Sequence, residues 1–532
     1  MSSTLAPDTI SERNPIKLDT VTSTLASLGL KAKEKDLEDY TSLLIGIWEV
    51  WDKVDQLEDY VPSVDEERFP RTSVHRPEPA ENPLNAWAWK CEIRDASGKS
   101  KGGLLEGKTV SLKDNIAVKH VPCLMGTDMF SDWTPNTDAT LVTRILEAGG
   151  TVNGKAVCEN MSSWAVSCSA ATGPMSNIHA PGFSAGGSSS GNAILVGTGA
   201  SWGGIGGDQG GSIRLPAAMN GIVGMKATTG LVPFTGVASL EPVVDHTGPM
   251  TRSVLDNALL LRAIAGVDGM DDRQQAGCPF PGEVPDYPAL AKQGVKGMKI
   301  GILKESLDRP KGDKRVSELV VKAAKALEEL GCTVEEVSVP LHAIAPEIWA
   351  FPGRFSKYNS LVGQNSGRRV YCMNDLADKI HPITQDKFDK MWPSTANALI
   401  NGKWAWENMP PSLVGKATNL IRKLKDDYYA ALDQYDALIL PTAPMLAPKL
   451  PAADASVREL MSNSAGMSLN TSAFNLTGMP AMSLPVGFIP SLESPHPKLP
   501  VGMQIVSKFY KEDTIYRVAY AWEQAFDWRS FE

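Results

Sequence analysis

Apolar positions along this chain recur with two periods. Between Leu37 and Leu57 they fall at helical spacing, at Leu37, Tyr40, Leu44, Ile47, Trp48, Trp51 and Val54, which predicts one long amphipathic helix. Two tryptophans on one stripe need a covering surface: the body of the same molecule, or a second copy of the chain in a homodimer. Residues 1–16 read as a loose tail, and the acidic, proline-containing stretch Glu58–Pro79 as a linker. Beyond it, short apolar runs alternate with helical ones. Lys108–Leu112 and Thr151–Cys158 read as strands on either side of a helix over Ala139–Ala148, which Gly149 and Gly150 end. Met298–Leu303, Cys332–Val339 and Tyr435–Leu440 read as further strands, with an amphipathic helix over Val316–Leu330 that Gly331 stops. Such alternation predicts an α/β sheet covered by helices on both faces. Pro346–Lys425 is rich in helical pattern and tryptophan (Trp349, Trp392, Trp404, Trp406) and reads as a cap over a site. The expected division is therefore residues 1–80 (tail, helix and linker) and residues 81–532 (a catalytic body with a cap over about 346–425).

Composition narrows the partners. Lys and Arg number 52 against 61 Asp and Glu, a net charge of −9, which argues against nucleic acid or an anionic membrane as the main partner. The seven cysteines are odd in number and contain no C-x-x-C pair, so reduced thiols in a cytoplasmic protein are expected rather than a disulfide framework or a zinc knuckle. A Cys/His hydrolase would need only one of them and stays open. Met1–Lys17 lacks the apolar core of a signal peptide, and no apolar run reaches the roughly 18 residues of a membrane span.

The candidate chemistry lies between Pro181 and Gly236, where glycine and serine are too dense to be a packing choice, since each glycine costs conformational entropy on folding. A phosphate-binding loop would need G-x-x-x-x-G-K-[ST], or G-x-G-x-x-G after a strand, and neither is present. Gly182–Gly186 and Gly187–Gly191 both match G-x-S-x-G, but neither follows a predicted strand. A triad histidine for them would have to come from His246, His342, His381 or His496. A third pattern joins three places: Lys113, ending the apolar strand in VSLKDN; GGSSSG (186–191), followed by a helix over Asn192–Gly197; and GGDQGGSIRLP (206–216).

The intervals from Lys113 to Ser188 and from Ser188 to Ser212 resemble those of the amidase signature family. The likeness runs from about Asn82 to the C-terminus and includes GKAVCEN (154–160), GIVGMKATTGLVPFTG (221–236), DHTGPMTRS (245–253), LPTAP (440–444) and LPVGMQIV (499–506). GGDQGGSIR and VPFTG look most like the enantioselective bacterial amidases of aliphatic and aromatic amides, whose relatives also hydrolyse anilides and carbamates. The resemblance implies an α/β/α sandwich with a central mixed, twisted sheet and an N-terminal helical extension. It also implies a small carboxamide substrate, with no metal or other cofactor. Its catalytic residues would be Lys113 as base, Ser188, preceded by a cis peptide bond, as relay, and Ser212 as nucleophile.

The chemistry suits those residue types. A serine hydroxyl needs a base within hydrogen-bond reach, and a desolvated lysine can be that base where arginine cannot, because arginine stays charged. By the same resemblance the main-chain N–H groups of Gln209, Gly210 and Gly211 form the oxyanion hole, and Ser189, Asp208 and Arg214 hold the loop. The resemblance further implies an acyl pocket, with Ser163, Trp164, Val244, Trp349 and Leu476 as its expected lining, each of which core packing would explain equally well. Many family members carry Gly-Thr-Asp where this chain has Gly206-Gly207-Asp208, so whatever the threonine contacts must be replaced, with Gln209 as the candidate. The rival reading is a transamidation subunit that frees ammonia from glutamine for a partner enzyme.

Overall fold

The computed structural model describes residues 10–239, 241–364 and 367–531, in two compact units, Met1–Pro62 and Ser63–Glu532. In the first unit the expected long helix is present as Leu37–Asp55, preceded by a shorter one over Leu18–Ser27. Residues 1–9 of the expected tail lie outside the described residues. The rest of it does not trail: Ser11 N–H and the Asn14 side chain donate to Glu49 at 2.9 and 2.7 Å, and Arg13 pairs with Asp52 at 2.7 Å. Trp51 and Val54 stand exposed.

The second unit is built on one mixed sheet. Its first strands are β1 (Arg71–His75), β2 (Trp87–Ile93), β3 (Thr109–Lys113) and β4 (Thr151–Ala156). A separate two-stranded ribbon follows, β5 (Ser176–Asn177) with β6 (Ala180–Ser184). The main sheet resumes with β7 (Gly203–Asp208), β8 (Val223–Lys226), β9 (His246–Thr251), β10 (Lys299–Leu303) and β11 (Thr333–Val337). It ends with β12 (Ala437–Pro441), β13 (Ala481–Pro490) and β14 (Lys498–Val506). The order across it is β1-β2-β4-β3-β7-β9-β8-β13-β14-β12-β10-β11.

Alternation along β13 shows how the two faces are filled. Met482, Leu484 and Val486 enter the largest apolar cluster, with Leu261, Val320 and Tyr516 from the helices Val254–Ile264, Lys314–Lys325 and Glu512–Ala525. Ser483, pointing the other way, flanks Gly502, where an added Cβ would lie 2.5 Å from that of Ala218 on the helix Arg214–Asn220. The sheet is covered on both sides, as expected.

Two expectations need correction. The stretch read as linker contains β1, which pairs antiparallel with β2 and whose Arg71 is ion-paired to Asp138, so it is part of the compact second unit, which runs from Ser63. The first G-x-S-x-G match does lie on a strand, β6, but that strand belongs to the ribbon and not to the main sheet.

Candidate active site

β3 and β7 are parallel neighbours, with Val110 opposite Gly203 and Leu112 opposite Ile205, so Lys113 and Asp208 leave the sheet at the same edge. Carboxyl ends of parallel strands are where open α/β sheets gather their ligands. The helix Ser190–Gly197 starts at this edge, which sets GGSSSG against the end of β7. The contact is close: Ser189 Oγ both donates to the Gly207 carbonyl and accepts from the Gly207 N–H, each at 3.2 Å. A Cβ on Gly206 would come within 2.9 Å of that oxygen, so the position has no room for a side chain.

Lys113 is fully buried, and its ammonium faces neutral oxygens only. Nζ donates to Ser188 Oγ at 2.8 Å and to the Gly207 carbonyl at 3.2 Å. Burial disfavours the charged amine and brings its pKa down to about 8, against the smaller opposing pull of Cys158, Asp208, Glu159 and Asp245. The peptide bond before Ser188 is cis, and the Ser188 hydroxyl donates to the Ser162 carbonyl at 2.6 Å. Ser212 is joined to the same loop through its main chain, its carbonyl accepting from Ser189 N–H at 3.2 Å. No described residue hydrogen-bonds its hydroxyl.

The loop between β7 and Ser212 is held by one ion pair. Asp208 and Arg214 are wholly buried, and Arg214 uses all five N–H groups. Nε and Nη2 bind the Asp208 carboxylate at 3.0 and 2.9 Å, and Nη2 also reaches Asn475 Oδ1 at 2.6 Å. Nη1 donates to the Thr471 carbonyl at 3.0 Å and to Gln504 Oε1 at 2.7 Å. Burial pushes the Asp208 carboxyl up, but the guanidinium outweighs it and holds the group below the usual carboxylate range. The same carboxylate accepts the Gly211 N–H at 2.7 Å and the Ile213 N–H at 3.1 Å. This corrects the expected oxyanion hole, since the Gly211 N–H is committed to Asp208. Those of Gln209 and Gly210 remain. Trp349 steadies them, donating from Nε1 to the Gln209 carbonyl at 2.8 Å with its ring against Gly210.

Of the pocket candidates, Trp349 therefore lies at the site. Ser163 is tied to the cap, its carbonyl accepting from Ser394 Oγ at 3.3 Å. Trp164 packs partly buried with Phe183, Leu215 and Met219, and its carbonyl stands over Gly187. Val244 and Leu476 are buried in one cluster with Phe474 and Tyr428, against which Trp349 packs.

Sequence reasoning assigned no role to Glu159, which organises the serine loop. Its Oε1 accepts from Ser190 Oγ at 2.7 Å, and its Oε2 from both Ser169 N–H and Ser169 Oγ at 2.7 Å. Its own N–H donates to the Ser188 carbonyl at 3.2 Å. Burial raises its carboxyl to about 7, opposed by the Ser169 and Ser190 hydrogen bonds and by Lys113. The signal lay in GKAVCEN, an acidic residue at the end of an apolar strand.

A family model described as Amidase matches residues 80–516. The chain belongs to the amidase family. Over 494 residues it is 34% identical to an enantioselective amidase of Rhodococcus rhodochrous, covering 88% of this chain and 92% of that one. It is 33% identical over 452 residues to a glutamyl-tRNA(Gln) amidotransferase subunit of Bacillus velezensis, covering 83% and 88%. A peptide amidase solved with the inhibitor chymostatin superposes with a TM-score of 0.64 at 28% identity, over 80% of this chain and 84% of the other. In fold it also matches a 6-aminohexanoate cyclic dimer hydrolase, with a TM-score of 0.68 at 23% identity, over 81% and 87%. This amidase is thus a hydrolase acting on amides. Among its described residues no helix is long and apolar enough to cross a membrane.

Proposed function

We propose that this amidase hydrolyses small carboxamides, with anilides and carbamates in its range, through an acyl-enzyme on Ser212. The reading rests above all on the buried Lys113 amine 2.8 Å from Ser188 Oγ, a base already in contact with its relay. Neutral Lys113 takes the Ser188 proton as Ser188 takes that of Ser212. Ser212 Oγ bonds to the carbonyl carbon, and the oxyanion is met by the N–H groups of Gln209 and Gly210, each such donor being worth roughly 3 kcal/mol in amide and ester hydrolases. The proton returns through Ser188 to the leaving nitrogen as the C–N bond breaks, and water repeats the sequence on the acyl-enzyme. The Rhodococcus relative favours this stand-alone reading.

The test is ammonia or amine release by the purified chain, without partners, on benzamide, propionamide, an anilide, ethyl carbamate and glutamine. Turnover of the simple amides is expected, lost in Ser212→Ala. Release from glutamine alone, or none without an added partner, would move the assignment to a transamidation subunit, the function named for the Bacillus relative.

A further inference from the structure

The Gln209 and Gly210 N–H groups each share a flat trans peptide unit with the carbonyl of the residue before. In such a unit the carbonyl and the N–H point in opposite directions, so a donor that grips the one fixes the aim of the other. Both carbonyls are gripped by side chains from other elements. Asn475 Nδ2 donates to the Asp208 carbonyl at 2.8 Å, and Trp349 Nε1 to the Gln209 carbonyl at 2.8 Å. The following carbonyl, that of Gly210, accepts from Thr471 Oγ1, and the N–H of its unit goes to Asp208.

The two grips differ in origin. Asn475 also binds the Asp208 carboxylate at 2.8 Å and Arg214 at 2.6 Å, so it belongs to the ion-pair scaffold. Trp349 comes from outside that scaffold, as the last residue of the short helix Ala345–Trp349. Its ring is held between two glycines. A Cβ on Gly210 would lie 3.4 Å from the ring, and one on Gly353, in the next helix Pro352–Leu361, only 2.8 Å from it. A ring that merely lined a pocket would need no N–H aimed at the main chain. Here the N–H meets the one peptide unit whose other end is the Gly210 donor, and a hydrogen bond into a carbonyl also polarises the N–H across from it.

We infer that Trp349 is a positioning residue of the oxyanion hole: by donating to the Gln209 carbonyl it sets the direction of the Gly210 N–H and strengthens it as a donor. This rests on the serine reading above and gives the tryptophan a part in the transition state instead of in substrate fit. No bond forms or breaks at Trp349. Its effect grows as negative charge develops on the substrate oxygen, so it lowers the barrier without tightening the bound substrate.

The experiment separates the N–H from the ring. Trp349→Phe keeps an aromatic ring and removes the donor, whereas Trp349→His keeps a ring N–H at the same reach and removes the benzo ring. On benzamide and propionamide alike, Trp349→Phe should lower kcat by roughly tenfold or more, with KM within about twofold of wild type. Inhibition by trifluoroacetophenone, which would bind Ser212 as a hemiketal alkoxide, should weaken in proportion. Trp349→His should keep kcat within about threefold, as rescue of the donor requires. A loss confined to benzamide, or one that falls on KM with kcat kept, marks a pocket wall and would overturn the inference, as would a His variant no faster than the Phe variant. Thermal unfolding reports whether each variant is folded. Should Trp349→Phe not fold, Trp349→His decides: retained kcat supports the donor role and a loss of about tenfold overturns it. Failure of the underlying reading looks different, because Ser212→Ala would then keep turnover of both amides.

Discussion

Lys113 has exchanged water for two neutral oxygens, and the cost falls on its charged form. Because burial lowers its pKa to about 8, the amine is mostly protonated below that pH and mostly neutral above it. If the neutral form is the base, kcat/KM should rise with pH through about 8 and then level, and a pH–rate profile on benzamide checks this. Lys113→Ala should lower kcat by roughly a thousandfold or more, the range in which general base catalysis contributes. Glu159 acts through its neighbours and is a positioning residue. Its negative charge raises the Lys113 pKa, so the isosteric Glu159→Gln should move the rising limb of that profile to lower pH. A residue with a purely structural role would change the height of the profile and leave its midpoint in place. Little of this was legible in the sequence. Lys113, Ser188 and Ser212 could be found by motif and interval, but the partners of Glu159 lie 10 and 31 residues away and only the folded loop brings them to one carboxylate.

At the scale of elements, the turn between β7 and the helix Arg214–Asn220 carries Ser212, the proposed nucleophile, and its shape comes from one carboxylate and one glycine. Gly211 has φ +135°, and a Cβ there would meet Thr471 Oγ1 at 2.5 Å, so only glycine lets Asp208 capture the Gly211 N–H without moving the nucleophile. Gly211→Ala should therefore lower kcat more than it raises KM, as steady-state kinetics on benzamide would show. Arg214→Met should cost about 3–5 kcal/mol of stability, because it leaves Asp208, Asn475 and Gln504 buried without their partner. Chemical denaturation would measure it. The predicted strands around β3, β4, β10, β11 and β12 match the fold to within a few residues, β10 and β12 because they are short apolar runs and β11, TVEEV, because Gly331 marks the end of the helix before it. β1 escaped notice because RTSVH is a half-exposed edge strand with no apolar run. Val244 and Leu476 read equally well as pocket or core in the sequence, and the fold buries both in the cluster against which Trp349 packs.

For the molecule as a whole, the boundary at Ser63 has a practical consequence. A chain beginning at Ser63 should unfold in one cooperative transition with the amidase sheet intact. One beginning at residue 81 loses β1 and strands Asp138 without Arg71, and should unfold at a lower temperature by calorimetry. The sheet order carries a longer consequence. β13 and β14 come last in sequence yet stand in the middle of the sheet, between β8 on one side and β12 on the other. A ribosome making this protein from the N-terminus releases Lys113, Ser188 and Ser212, the three proposed catalytic residues, early. It then releases two half-sheets whose facing edges have nothing to pair with until Val506 emerges. Gln504, which completes the Arg214 hub, arrives in the same hairpin. Assembly of this edge of the sheet is thereby tied to completion of synthesis, and a message cut short before this hairpin would yield a chain with Lys113, Ser188 and Ser212 all present and no folded amidase.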